Sequence, residues 1–245
     1  MILIGTLVNT LAVLAGSATG LLLAWLAGRF SSVLPAGSIK LGERLQTIIM
    51  QGVALCVLFL GISGSLSGQN SLITILAMVL GAIIGELLDL DKRMMALGDW
   101  VQKHTARLSA GSKTSISEGF VTASLLFCVG AMAIVGSLED GLSHNYNTLF
   151  TKAVMDGVLS VVFTAALGIG TAFSVFPVAI YQGSITLLAG LVRPFLTDIM
   201  ITRVSCIGSI LIFGLGLNLV LGSKIKIGNL LPAVFLPVIA CVLGF

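Results

Sequence analysis

Two long stretches without a charged residue are the feature that most limits what this chain can form. The chain carries no Asp, Glu, Lys or Arg from Leu45 to Gly85 or from Gly157 to Val192, which are stretches of 41 and 36 residues. A single membrane-spanning helix needs about 20 apolar residues. Each stretch is therefore long enough to hold more than one membrane-embedded segment.

The composition agrees with an all-α integral membrane protein. Hydrophobic residues make up 57% of the chain and charged residues 9%, and the mean hydropathy is +1.12; soluble domains carry roughly 25% charged residues. The net charge of +3 comes from residues beside the apolar stretches, so membrane topology explains it and nucleic-acid binding does not. The four cysteines lack C-x-x-C spacing, so we expect no zinc site, disulfide framework or other cofactor.

Apolar windows between polar breaks predict a single polytopic membrane domain (1–245), a bundle of seven transmembrane helices plus one short or re-entrant helix. The eighth segment, 176–192, is of about the minimum spanning length; it opens near Pro177 and carries Gln182. It either crosses the membrane or re-enters it. The seven predicted spans are 3–27, 45–63, 71–90, 119–138, 152–174, 203–222 and 229–245.

The basic residues predict the orientation of the first half. They are concentrated after the first and third predicted spans, so the positive-inside rule places the N-terminus outside and these two loops in the cytoplasm. The C-terminal third stays open. If 176–192 crosses, Lys224 and Lys226 are inside and Arg193 and Arg203 outside; if it does not, the two pairs exchange sides, and the rule favours neither.

An internal repeat is suggested by weak self-similarity. The segment "GTLVNTLAVLAGSATG" (5–20) aligns without gaps to "GVLSVVFTAALGIGTA" (157–172), and later segments match more loosely. The pattern indicates a three-helix unit used twice. A single linker helix would make the two units parallel, provided that 176–192 does not cross. The units would be 1–90 and 152–245, joined by a linker helix at 119–138.

Asp156 heads a polar stripe on the fifth predicted span. Helical spacing puts Asp156, Ser160 and Thr164 on one face, and such a face should turn towards other helices or a hydrated cavity. The first span has a similar stripe that includes Asn9. In the alternative interpretation Asp156 forms an ion pair with Lys152, one helical turn earlier, and this pair has only a structural role. Seventeen apolar or small residues follow Asp156, about 25 Å of helix, which would put it near the hydrocarbon edge.

Other polar residues are weaker candidates. Gln51 is either part of a site or an interhelical hydrogen-bond partner. Glu139 and Asp140, after the fourth span, either form an acidic vestibule with Asp156 or lie in a solvated loop, and the loop is favoured. Asn229 is predicted to cap the last helix.

The sequence contains no complete catalytic motif. "GISG" (61–64) is similar to the nucleophile box of an intramembrane serine protease, but the only histidines, His104 and His144, fall in polar loops. We therefore expect no enzyme.

The segments "FCVGAMAIVGSLEDGL", "KAVMDGVLSVVFTAALGIGTAFS" and "GNLLPAVFLPVI" resemble the bacterial membrane family of unknown function 554 over nearly the whole chain. The resemblance implies an inner-membrane protein of a family described as membrane or transport proteins. Ala131 stands where we expect proline in many relatives, which argues against a helix break there. The pattern draws attention, without assigning roles, to Asn9, Glu86, Glu139, Asp140, Asp156 and Gln182.

The sequence predicts transport of a small solute or ion across the bacterial inner membrane. The expected partners are the lipid bilayer, a small solute or cation, and further copies of the chain. Further copies are expected because small-xxx-small spacings such as Gly16/Gly20 let helices approach closely. The alternative is a non-transporting scaffold or assembly partner. In a carrier, a water-accessible pocket should reach the stripe of Asp156, Ser160 and Thr164. In a scaffold, these side chains should be packed together with no access to water. The candidate binding residues are Asp156, Ser160, Thr164, Asn9, Gln182 and Gln51.

Overall fold

A computed structural model describes residues 2–33, 37–66, 68, 71–104, 116–195, 197–222 and 225–242. All regular structure in these ranges is helical. The first six α-helices are α1 Ile4–Val33, α2 Gly37–Ser65, α3 Ser71–Leu88, α4 Leu90–His104, α5 Ile116–Cys128 and α6 Ala131–Ser143. The next six are α7 Asn147–Leu167, α8 Val175–Leu187, α9 Ala189–Val192, α10 Asp198–Leu221, α11 Ile227–Leu230 and α12 Pro232–Val242. Two 3-10 helices cover Ile169–Ser174 and Arg193–Phe195.

Five of these helices are long and apolar enough to cross a membrane, or six if α5 and α6 form one span. The five are parts or all of α1, α2, α3, α7 and α10. The predicted count of seven is therefore not reached by length and composition. The predicted span 119–138 consists of two helices bent by 61°, and the last predicted span contains only a shorter apolar stretch, Ile227–Ile239.

Two glycines interrupt the predicted spans. Gly130 has φ 137 and ψ 152, and Gly168 has φ 80 and ψ −167; this region of backbone space is essentially restricted to glycine. Gly130 separates α5 from α6, so the expectation that no break occurs beside Ala131 was wrong. Gly168 ends α7 at Leu167, so the predicted span 152–174 is a shorter helix followed by a 3-10 turn.

α1 and α7 pack side by side and run parallel. Gly5 lies against Leu149 near the start of both helices, and Gly20 lies against Thr164 and Val161 further along. Residue numbers rise together on the two helices, which fixes the direction. The glycines matter because a Cβ at either position would collide with its neighbour, so their absence of a side chain permits the close approach.

Three other helix pairs are antiparallel. On α2 and α10, Gly61 packs on Phe213 and Gly64 on Ser209, so the numbers run in opposite directions. The same holds for α3 against α11 and α12, where Gly81 packs on Ala233 and Gly85 on Asn229. α8 runs against α1 as well, as the hydrogen bonds described below show. The chain after Gly168 therefore returns along α7 to the level at which α7 began. Whether 176–192 crosses the membrane and whether the repeat is parallel both stay predictions.

At one end of the bundle, hydrogen bonds join α3, α4 and α11. Lys226 Nζ and Asn229 Nδ2 each donate to Glu86, at 2.6 Å. Asn229 Oδ1 accepts from Asp91 N at 2.7 Å, and Asp91 Oδ1 accepts from Gly228 N at 3.1 Å. Asn229 lies within α11 and its side chain caps the start of α4, whereas the sequence predicted a cap on the last helix. The hydrogen bond to Glu86 raises the pKa of Lys226; Lys224 lies outside the described residues.

The outer surface is apolar, as a membrane-embedded bundle requires. Large side chains of α2 such as Leu55 and Phe59 are 62% and 69% exposed, far more apolar surface than a water-soluble monomer presents. The interior is built around α5, α7 and α10, where Phe127 and Phe163 meet edge to face with ring centroids 6.5 Å apart. The polar residues described next are buried beside this core.

Candidate functional site

Asp156 lies near the middle of α7. The helix begins at Asn147 and ends at Leu167, so nine residues precede Asp156 and eleven follow it. At 1.5 Å per residue Asp156 is about 13 Å from the start of the helix. α7 starts earlier than the predicted span 152–174 and ends at Leu167, so Asp156 does not head the helix; its position relative to the hydrocarbon edge stays a prediction. The carboxylate lies in the interior of the bundle.

Lys152 and Asp156 form a buried ion pair. Lys152 Nζ donates to Asp156 Oδ1 at 2.9 Å and to Oδ2 at 2.7 Å, and the two side chains are 8% and 6% exposed. The pairing one helical turn apart is therefore confirmed, although it occurs inside the protein and not at its surface. Withdrawing both charges from water is unfavourable, and the pair persists only because each charge neutralises the other.

Asn9 and Gln182 extend the ion pair across two further helices. Asn9 Nδ2 donates to Asp156 Oδ2 at 3.1 Å and to Gln182 Oε1 at 3.2 Å. Both amide side chains are fully buried. α1, α7 and α8 are thus joined at one depth by Lys152, Asp156, Asn9 and Gln182, which we call the polar cluster. The sequence-based grouping of Asp156, Asn9 and Gln182 matches this arrangement.

Two atoms of the polar cluster have unused hydrogen-bonding capacity. Asn9 Oδ1 and Gln182 Nε2 are buried and have no partner among the described residues. Buried polar atoms in folded proteins are nearly always satisfied by protein or by ordered water. One of these atoms is an acceptor and the other a donor.

Asp140 closes one side of the polar cluster. Its carboxylate is fully buried and accepts from the backbone N–H groups of Leu3 at 3.2 Å, Gly5 at 3.0 Å and Thr6 at 3.3 Å. The prediction that Asp140 lies in a solvated loop was wrong, because α6 continues to Ser143 and carries Asp140 over the start of α1. An acid at this position also complements the α1 dipole.

A pair of threonines also covers the polar cluster on the side where Asp140 lies. The hydroxyls of Thr6 and Thr186 are 3.2 Å apart and buried, about one turn of α1 before the Asn9–Gln182 contact. On the opposite side, Gly16 packs directly on Ser160 and Gly157. The polar cluster is therefore enclosed in this conformation, between the threonine pair and the glycine contact.

Ser160 and Thr164 are buried, as the stripe predicts, but they do not line an open cavity. Ser160 Oγ donates to Gly157 O on its own helix at 2.8 Å. Thr164 packs against Gly20, and its hydroxyl has no partner within the described part of the chain. Both residues are packing positions between α1 and α7 in this conformation.

Gln51 stands apart from the other candidates. Its side chain is exposed on α2, whereas Val53, Ala54 and Val57 form the buried face of that helix. The helical period thus turns Gln51 away from the polar cluster, and it does not join the site.

Sequence reasoning missed the helix break at Gly130, two residues after α5 ends at Cys128. The signal available was Gly130 itself, within "CVGAMA". Thr6, Thr186 and Asp140 were also missed as closures. No group of three or more His, Cys, Asp or Glu suited to a metal ion is found within the described ranges.

Together these features define a polytopic helical membrane protein with a buried ion pair inside a closed polar cluster. The chain belongs to the family described as "Protein of unknown function (DUF554)", which it matches over residues 4–242. It is 29% identical over 239 residues to "Uncharacterized membrane protein YdfK" of Bacillus subtilis (strain 168), covering 95% of this chain and 93% of that one. It is 28% identical over 236 residues to "Uncharacterized protein YqgA" of Escherichia coli (strain K12), with 95% and 94% covered. No solved structure matches significantly.

Proposed function

We propose that this protein transports a small solute or ion across the bacterial inner membrane, as a multi-pass carrier. The observation that supports this function is the polar cluster, a buried charge pair in α7 beside two amide atoms that have no partner in the described part of the chain. Ionisable groups inside a membrane are unfavourable and are retained mainly where they coordinate or relay ions and substrates. In this proposal Asp156 is the coordinating carboxylate, and Asn9 and Gln182 orient what it binds.

The proposal includes eight membrane crossings. α8 runs against α1 and returns to the level of Thr6, so it supplies a crossing between α7 and α10. Lys226 then lies at the same end as Glu86, which is the cytoplasmic end by the positive-inside rule. The N-terminus and C-terminus are both outside in this topology, and α5 with α6 forms one broken crossing.

The arrangement of helices supports alternating access. α1, α2 and α3 each pack antiparallel against α8, α10 and α12, in the same chain order. We propose that these two sets are inverted structural repeats, with α5, α6 and α7 between them. Carriers of this type bind their substrates where interrupted helices meet near mid-membrane, and the break at Gly130, within the crossing formed by α5 and α6, gives this protein one such interruption.

The enclosed cluster corresponds to an occluded state. Separation of Thr6 from Thr186 would open it on the outer side, and movement of α1 away from Ser160 would open it on the inner side. Ser160 and Thr164 therefore act in the moving interface and not as ligands. The proposal includes no catalytic step and no cofactor, and it keeps the homo-oligomer that the small-xxx-small spacings predict.

A membrane scaffold is the second candidate function. The direct packing of Gly16 on Ser160 and of Gly20 on Thr164 favours it, because a stripe closed by backbone contact serves helix association without any substrate. A scaffold needs no opening of the α1–α7 interface. The two functions therefore differ in whether the polar cluster exchanges its contents with water.

A flux measurement in proteoliposomes tests the proposed function. Vesicles containing the purified full chain and a trapped pH dye would be exposed to gradients of sodium, potassium and protons, and vesicle swelling would follow neutral solutes such as glycerol. We expect flux in the wild type and its loss in Asp156→Asn. The matched control is Glu86→Gln, which removes another paired acid far from the cluster. Absence of flux in every condition, or equal flux in Asp156→Asn, would contradict the proposal.

A further inference from the structure

We propose that α4 lies on the membrane surface at one end of the bundle and binds the headgroups of anionic phospholipids. This role is separate from the proposed transport function and does not depend on it. α4 has 15 residues with five charged side chains, and it is not among the candidate spans. Its partner is a lipid surface, recognised by the negative charge of the headgroups beside an apolar layer.

The contacts of α4 join it to the beginnings of two other helices. Near the start of α4, Asp91 Oδ1 accepts from Gly228 N of α11 at 3.1 Å. Further along, Ser117 at the beginning of α5 donates its hydroxyl to Met95 O at 3.1 Å. Gly98 packs on the same serine, and a Cβ at this glycine would collide with it. α4 therefore reaches from α11 to α5.

Both contact points lie at the same end of the bundle. α1, α2 and α3 are joined by short connections and alternate in direction, so α3 ends where α1 and the parallel α7 also end. α11 packs on Gly85 near the end of α3, and α5 begins beside Gly170, just after α7. A helix that contacts both beginnings runs across the bundle end and not along a span. α4 also follows the apolar span α3 after the single residue Asp89, so it begins at the membrane surface.

One side of α4 is apolar and exposed. Leu97 and Trp100 are 58% and 59% exposed, and they lie three residues apart on a side of the helix other than that of Gly98. Tryptophan is enriched at the boundary between headgroups and acyl chains. An amphipathic helix with such a side lies in the plane of the membrane, with its apolar residues in this boundary.

Three basic side chains flank the apolar side. Arg93 lies one helical turn before Leu97, and Lys92 and Lys103 share the neighbouring side of the helix with Asp99. These four charged residues are exposed. Three cations and one anion leave an excess of two positive charges on the exposed part of α4. A basic residue near an anionic leaflet strengthens attraction to it about fivefold, so the charges of the helix and the leaflet are complementary.

The arrangement of these charges goes further than membrane topology requires. The positive-inside rule accounts for basic residues at this end of the bundle, but it does not require them to flank an exposed tryptophan on a helix. A helix that binds a soluble protein would hold Trp100 in water when the chain is embedded in lipid. A helix that binds lipid would hold the same ring among the headgroups, and this difference can be measured.

Fluorescence of Trp100 in nanodiscs tests the position of α4. The chain has two tryptophans, so Trp25→Phe leaves Trp100 as the single one. The full chain would be placed in phosphatidylcholine brominated near the headgroup end of its acyl chains, with iodide as the quencher in water. We expect strong quenching by the brominated lipid and little by iodide. Quenching by iodide without quenching by the lipid would place α4 in water and overturn the proposal.

A second pair of nanodiscs measures the preference for anionic lipid. Brominated phosphatidylglycerol, or phosphatidylcholine brominated in the same way, would make up the same small fraction of an unbrominated phosphatidylcholine bilayer. The ratio of the two quenching efficiencies reports the enrichment of anionic lipid around Trp100. We expect an enrichment of about fivefold at low ionic strength, which should decrease as salt screens the charges. Equal quenching by the two lipids would overturn the proposal.

Variants of the charged residues make the test specific. In the same single-tryptophan background, Lys92→Gln/Arg93→Gln/Lys103→Gln should bring the quenching ratio to about one. Asp99→Asn removes the acid from the same helix and should raise the ratio, a change that misfolding would not produce. Arg193→Gln, an exposed arginine outside α4, is the matched control and should leave the ratio unchanged. A preference for phosphatidylglycerol that survives in the triple variant would overturn the assignment to α4.

Discussion

The 2.7 Å contact between Lys152 Nζ and Asp156 Oδ2 joins two charges that are each less than a tenth exposed and lie halfway along a membrane helix. The two residues are four apart on α7, so the helix itself holds them together. What sets this pair apart from an ordinary surface pair is the fully buried Asn9 that donates to the same carboxylate from α1.

Removing one partner of the ion pair should destabilise the protein strongly. Asp156→Leu leaves a buried ammonium without a counter-charge, and losses of about 3–5 kcal/mol are typical of such a change. The double variant Lys152→Met/Asp156→Leu should recover most of the loss, because well-packed apolar groups replace both charges. Thermal and chemical unfolding in detergent would measure both. Equal stability of the single and double variants would contradict the coupling.

The contact of α1 with α7 should be sensitive to a single methyl group. In Gly16→Ala the new Cβ would collide with Ser160 and with the Gly157 carbonyl, and overpacking of this kind costs about 1–3 kcal/mol. Gly52→Ala on α2 is the matched control, since nothing lies within 4 Å of its Cβ position and alanine favours the helix by up to about 1 kcal/mol. Unfolding curves that coincide for the two variants would show that α1 and α7 do not pack this closely.

The end of α7 should depend on glycine at position 168. Its φ of 80° and ψ of −167° are open to glycine alone, so Gly168→Ala should lose about 1–3 kcal/mol. Gly190→Ala, at an exposed position with open space around its Cβ, is the control and should change stability little. The melting temperatures of the two variants give the comparison. A Gly168→Ala protein as stable as the control would mean that α7 continues through residue 168.

Asp140 should protect the start of α1. Three backbone N–H groups donate to its carboxylate, and hydrogen bonds to a charged group contribute about 1.5–3 kcal/mol each. Asp140→Ala should therefore speed amide hydrogen exchange at Leu3, Gly5 and Thr6. The exposed acid Asp99 provides the control, because Asp99→Ala lies on α4 and should leave these amides unchanged. Protection that survives in Asp140→Ala would show that another group caps the helix.

Labelling of single cysteines should show on which side of the membrane each end of the bundle lies. In a background that lacks the four native cysteines, His144→Cys in the exposed loop after α6 should react with a membrane-impermeant thiol reagent in intact cells. Lys226→Cys should react only after the membrane is opened. Labelling of both positions from the outside would contradict the eight-crossing topology.

Local pattern explains what the sequence predicted correctly. Helical spacing turned Asp156, Ser160 and Thr164 to one buried face, and similar reasoning placed Asn9 on the facing side of α1. Lys152 was recognised as the partner of Asp156 because residues four apart on a helix are neighbours. These inferences need only the period of a helix and the unfavourable transfer of polar groups to lipid.

Long-range contacts explain what the sequence did not predict. The closure by Asp140 depends on α6 reaching the start of α1, more than 130 residues away in the chain. The break at Gly130 depends on a backbone conformation that glycine permits but does not require. Gln51 was grouped with the site because its residue type is polar, whereas the packing of α2 decides which of its faces is buried.

Flux through the double variant Lys152→Met/Asp156→Leu tests most directly whether the ion pair carries the function or only holds helices together. The variant would be reconstituted beside the wild type once unfolding shows that it is folded, with sodium, potassium and proton gradients applied to vesicles containing a pH dye. We predict flux in the wild type and none above empty vesicles in the folded double variant. Flux in the double variant equal to that of the wild type would contradict a functional role for the pair.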